Sequence, residues 1–214
     1  MSELLTNRSE FNSETREAVL GAIKKINFES EGGPNYDELF ELIPELRELD
    51  FGKYHPVHPY SVLEHSIRSA QMANTETAAL ALIFHDIAKS LKQCQVWVKN
   101  TTPDGPDVMK SPDHEIEGVK PAEEFFRKYG LARDQEELDL MLDLVRYHDS
   151  WGHSFDRDFD EIVDKFDSET IEILFDVQKR DLETHSDEYY VEKIKYLEAA
   201  QEQIRKKIAS KYTI

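Results

Sequence analysis

The chain has 214 residues, 39% of them hydrophobic, with 26 Lys and Arg set against 44 Asp and Glu for a formal charge of -18. That length can bury one sizeable core, so one domain is expected, and the acidic balance argues against extended nucleic-acid binding, which needs a basic face. A single Cys94 rules out an intramolecular disulfide framework and fits a reducing compartment. With no basic leader and no apolar stretch of membrane-spanning length, a cytoplasmic protein that does not engage a membrane is expected.

Low Gly and Pro content, with many Glu, Lys, Leu and Ala, points to an all-α fold. Ser13 to Ile26 carries Val19, Leu20 and Ile23 on one side and reads as an amphipathic helix, part of an N-terminal arm over 1–34. The breaker at Gly32, Gly33 and Pro34 separates it from a helix over Tyr36 to Leu49, interrupted near Pro44. Residues 35–214 are read as the main domain, and together with the arm as one structural unit. Phe51 to Tyr60 is irregular; His55 and His58 there are surface residues or sit beside a site. Ser61 and Glu64 have capping-box spacing, which puts His65 in the first turns of a helix with Arg68 on the same face. A pocket and a part-exposed helix end both fit that histidine.

Thr75 to Lys89 should form a buried helix, because Thr75 can cap it and Ala78 to Ala88 contain no Gly or Pro. His85 and Asp86 sit where that helix should be apolar. A buried carboxylate left unpaired is costly, so the pair is satisfied either by neighbouring helices or by a metal ion, which suits both side chains. From Ser90 to Lys110 the sequence allows a short hairpin acting as a flap. Ser111 and Pro112 should start a helix that carries His114, bends near Gly118 and Pro121, and ends at Gly130.

Asp134 to Tyr147 has a clean apolar stripe of Leu138, Met141, Leu142 and Val145 that His148 extends, with Arg146 beside it. His148 there is a core residue or a ligand. Trp151 to Asp160 reads as a solvated loop. Ser168 should cap a helix with Asp181 on its inward side, and Ser186 a final helix reaching about Lys207.

Several helices thus place a His or Asp where an apolar residue belongs, in the order His65, His85 with Asp86, His114, His148 and Asp181. That pattern resembles the HD superfamily of metal-dependent phosphohydrolases. A narrower likeness is to the HD region of CCA-adding tRNA nucleotidyltransferases, over about residues 38–200, through Leu39 to Leu46, Val62 to Ser66, Phe84 to Lys89, His114 to Gly118, Leu144 to His148 and Lys179 to Asp181. The nucleotidyltransferase head is absent, so CCA addition is not implied. The resemblance implies an HD-domain helical bundle in which His65, His85, Asp86 and Asp181 hold one divalent metal. His114 and His148 would add a second, Asp86 bridging, with Mn, Fe, Co, Ni, Zn or Mg as the ion. It also implies hydrolysis of a small phosphorylated substrate, a nucleotide monoester or a 2',3'-cyclic phosphodiester. Spacing adds Lys89, Arg68 and Arg146 as groups able to offset transition-state charge beside Asp86. A di-iron oxygenase of the HD type and a non-catalytic metal-binding regulatory module are the alternatives, and a homodimer is left open.

Overall fold

Short polar side chains cap several of the helix starts in this chain. The computed structural model describes residues 11–51, 57–99, 107–152 and 154–211; His55 lies outside them. Helix α1 (Ser13–Lys25) opens on Asn12, whose Oδ1 accepts from the backbone N–H groups of Glu14 and Thr15. After α2 (Asp37–Leu42) the helix breaks before Pro44, and a 3-10 helix runs from Pro44 to Leu49. Helix α3 (Val62–Met72) is capped by Ser61 and α4 (Glu76–Phe84) by Thr75, each hydroxyl accepting from the N–H three residues on. The strands β1 (Val96–Val98) and β2 (Val108–Lys110) form an antiparallel pair with Val96 opposite Lys110. Helices α5 (His114–Glu117), α6 (Val119–Tyr129), α7 (Gln135–Tyr147), α8 (Phe155–Lys165), α9 (Thr170–Glu183) and α10 (Asp187–Lys211) complete an all-α fold with that one hairpin. No helix among the described residues is long and apolar enough to cross a membrane.

Helix α4 is the axis. Every residue from Thr77 to Phe84 is buried, and α3, α7 and α9 pack around it. A helix apolar on all sides can be accommodated only in that way. The amphipathic α1 joins the same core through Val19, Leu20 and Ile23 rather than lying apart from it. Gly130 ends α6 with φ +62, and a Cβ there would stand 2.6 Å from the Asn12 nitrogen, so glycine allows the close approach in which Asn12 N–H donates to the Gly130 carbonyl.

Four expectations need correction. The helix expected over 75–89 stops at Phe84: the Leu82 carbonyl accepts from the His85 ring, Asp86 leaves helical geometry at φ -102, ψ 13, and a 3-10 turn runs from Ile87 to Ser90. The segment read as a solvated loop is largely α8, whose Phe155, Phe159 and Ile162 recur at helical spacing and whose Asp158 is buried. Asp167, not Ser168, caps α9, accepting from the N–H groups of Glu169 and Thr170. His114 begins α5 itself, because Asp113 adopts a left-handed conformation that delays the helix expected from Ser111. The last helix also runs one turn further than expected, to Lys211.

Arg16 in α1 reaches the buried Glu137 of α7 at 3.2 Å and Glu76 at 2.5 Å, while Thr77 and Arg133 also donate to Glu137. Burial raises the Glu137 pKa, but the bonds from Arg133 and Thr77 outweigh it and hold the group below its ordinary value. Its share of stability is therefore present at neutral pH and lost as pH falls. Replacing Arg16→Met is expected to cost about 3 kcal/mol in urea unfolding by stranding a buried charge. The double variant Arg16→Met/Glu137→Leu should recover most of that loss; a loss equal to the sum of the two single changes would refute the pairing.

Candidate metal centre

Five helices deliver polar residues to one point. His65 comes from the first turns of α3, Asp181 from the last turn of α9, and His114 from the start of α5. The two His-Asp doublets occupy the same kind of place. His85 follows α4 with φ -57, ψ -34, and His148 follows α7 with φ -58, ψ -33. Both imidazoles turn inward from a helix C-terminus, and both are buried.

Each imidazole is fixed by what its Nδ1 does. His85 donates to the Leu82 carbonyl at 2.6 Å, His114 to that of Ser111 at 2.9 Å and His148 to that of Val145 at 2.7 Å, all three residues back in the chain. His65 Nδ1 lies 2.7 Å from Thr184 Oγ1, whose hydroxyl in turn reaches the Asp181 carbonyl. With Nδ1 donating, Nε2 is the nitrogen that each of the four rings turns to the centre, open to a proton or a cation.

Those four Nε2 atoms converge in two lobes joined by Asp86. In the first, His65 Nε2 stands 3.2 Å from His85 Nε2 and 2.8 Å from Asp181 Oδ1, and Asp86 Oδ2 is 3.4 Å from His85 Nε2. In the second, His114 Nε2 lies 3.2 Å from both His148 Nε2 and Asp86 Oδ1. Asp86 Oδ1 is fully buried and accepts no hydrogen bond. Acceptors thus face acceptors across both lobes, an arrangement that needs a proton or a cation between them. Imidazole and carboxylate donors fit a divalent transition metal, and the buried groups can hold one.

The charges agree with that reading. Burial would raise the pKa of Asp86, but the charges of His85 and Lys89 hold it well below the carboxylate range, and hydrogen bonding to the His65 and His85 rings does the same for Asp181. Burial lowers His85, yet Asp86 and Asp181 lift it to about 10. Burial and the neighbouring His85 and His114 push His148 down to about 3, keeping it neutral. Lys89 Nζ sits 2.6 Å from Asp86 Oδ2 and is held charged by Asp86 and Asp181 against its burial, so Lys89 and His85 balance the two aspartates.

All six expected metal-binding residues therefore meet, and Lys89 joins them. The two arginines do not. Arg68 bonds Glu64 and its guanidinium lies over the rings of Phe28 and Tyr60; Arg146 is paired with Asp158, which Ser150 and Arg157 also engage. Neither lines the cavity of about 580 Å³ that opens above the centre. Sequence reasoning missed part of its wall: His185, whose Nδ1 donates to the Asp181 carbonyl, stacks on Tyr189 and lies 4.5 Å from the ring of His58. The available signal was that His185 follows Asp181 by four residues. No family model matches the chain, and no curated protein or solved structure matches it.

A proton on His85 and a cation compete for the same Nε2. Below pH 10 the proton is present, so loading one cation must release it, and affinity is expected to rise about tenfold per pH unit between pH 6 and 8. Calorimetry in buffers of different ionisation enthalpy checks this; Mn²⁺ binding with no proton release would exclude His85 as a ligand.

Proposed function

We propose that this chain is a metal-dependent phosphohydrolase of the HD type, acting on a nucleotide monoester or a 2',3'-cyclic phosphodiester. The observation that carries the reading is Asp86, one buried carboxylate presenting an oxygen to each of two imidazole-lined lobes at the floor of an open cavity. Divalent cations bound there would supply an activated water and neutralise phosphoryl charge. The protein's own part is to hold the donors rigid. Backbone carbonyls orient three rings and Thr184 the fourth, so the arrangement needs no reorganisation when a substrate enters. Lys89 offsets the two aspartates, and the cavity's size suits a nucleotide-sized ligand. The open side of the centre favours a catalytic over a purely structural role, since structural sites are closed.

Phosphate release from nucleoside monophosphates, triphosphates and 2',3'-cyclic nucleotides, with Mn²⁺, Co²⁺, Ni²⁺, Zn²⁺ or Mg²⁺, tests the proposal. Activity is expected to need a metal and to fall to background in Asp86→Ala, with the helical circular dichroism retained. Cation stoichiometry should drop from two to one in His114→Ala and vanish in Asp86→Ala. Full turnover in Asp86→Ala would refute the assignment. A loaded, folded protein that releases no phosphate would favour the alternatives, with an iron absorption band pointing to an oxygenase and its absence to a regulatory module.

A further inference from the structure

The cavity needs a cation that a phosphate can reach, and the basic residues around the centre are engaged elsewhere. Arg68 and Arg146 are held by Glu64 and Asp158, Lys89 by Asp86, and Arg157 by Asp158, Glu115 and Asp113. Lys110 differs. It lines the cavity, its side chain is exposed, and its ammonium makes no ion pair or hydrogen bond with any described residue.

Its position is fixed to the centre. Lys110 ends β2, and the next residue, Ser111, gives its carbonyl to the ring of His114. Val96 faces Lys110 across the hairpin, is 45% exposed and lines the same cavity. The hairpin therefore presents one unpaired ammonium beside one apolar side chain, along which a lysine stem can lie. The other charged residues that line the cavity are Lys89, held by Asp86, and acids, among them Asp113 and Glu115, which Arg157 engages, and Asp149. An anion entering the cavity finds a single free cation among the described residues.

We infer that Lys110 is the binding residue for the phosphate of the ligand, and that the hairpin is the element that admits it. The identity of the anion rests on the phosphohydrolase reading; the placement of the cation does not. An ammonium with three donors can follow a phosphate through several orientations, as an exposed binding group at a rim must.

The test uses the full chain supplied with Mn²⁺, in wild type, Lys110→Glu, Lys110→Arg and, as a remote charge-matched control, Lys207→Glu. Binding of inorganic phosphate is read by calorimetry, and KM and kcat on whichever ester is turned over. Loss of a charge-assisted contact is expected to weaken phosphate binding and raise KM about tenfold in Lys110→Glu. Manganese content should be unchanged, Lys110→Arg should recover most of the loss, and Lys207→Glu should match wild type. Equal phosphate affinity in wild type and Lys110→Glu overturns the inference, as does a wild type that binds no phosphate. Turnover with KM unmoved in Lys110→Glu overturns it while leaving the hydrolase reading intact. Phosphate binding that depends on Lys110, in a protein that hydrolyses no ester, upholds it and removes the hydrolase.

Discussion

A carboxylate buried at the end of a wholly apolar helix is the constraint on which the rest of the structure depends. Asp86 is 1% exposed and follows eight consecutive buried residues of α4. Isolated, such a charge would be expelled or neutralised. It persists because α3, α7 and α9 pack on α4 and each brings its own polar residue to the same end: His65, His148 and Asp181. Packing of the apolar sides and convergence of the polar groups are thus one event. The helices that form the core are the ones that carry the centre.

The histidine rings are held by the backbone more than by one another. Three donate Nδ1–H to the carbonyl three residues earlier, and for His85 and His148 that carbonyl lies in the last turn of a helix, where backbone acceptors lack partners. The ring thereby satisfies a helix end and acquires a fixed tautomer. A histidine followed by an aspartate at such a terminus leaves the carboxylate just outside helical geometry. In α4 this aims Asp86 at both lobes, whereas after α7 Asp149 goes to the cavity wall. The same two letters have two outcomes because different elements surround them.

Much of this was legible in the sequence. The burial of α4, the stripe of α7 and the caps at Ser61 and Thr75 follow from periodicity and spacing; the six residues stand out as polar groups in apolar positions, and their meeting at one centre is what the family resemblance implied. What escaped was set by contacts between segments remote in sequence. Arg68 and Arg146 carry the right charge and spacing to serve the centre, but Phe28 with Tyr60 claims one and Asp158 the other. The dense charges of Asp156 to Asp160 masked the apolar spacing of α8, because an aspartate buried among arginines looks in sequence like a solvated one. Ser168 lost its capping role to a neighbour with a better-placed acceptor, a choice of one residue that spacing rules leave undetermined.

The centre and its rim are built from different materials. The donors stand on helices locked into the main core, while the cavity wall comes from the hairpin, the segment before α3 and the turn joining α9 to α10. Elements with few core contacts can change without disturbing the fold, which is where selectivity is usually carried. In a chain of charge -18 that division has an electrostatic consequence. The overall field repels an anion at long range, so attraction must be generated locally, at distances below the Debye length of about 8 Å. At the floor, Lys89 and His85 balance Asp86 and Asp181, and a bound cation would add net positive charge. At the rim, Lys110 beside Val96 is a positive charge unpaired among the described residues, standing close to the acids Asp113, Glu115 and Asp149.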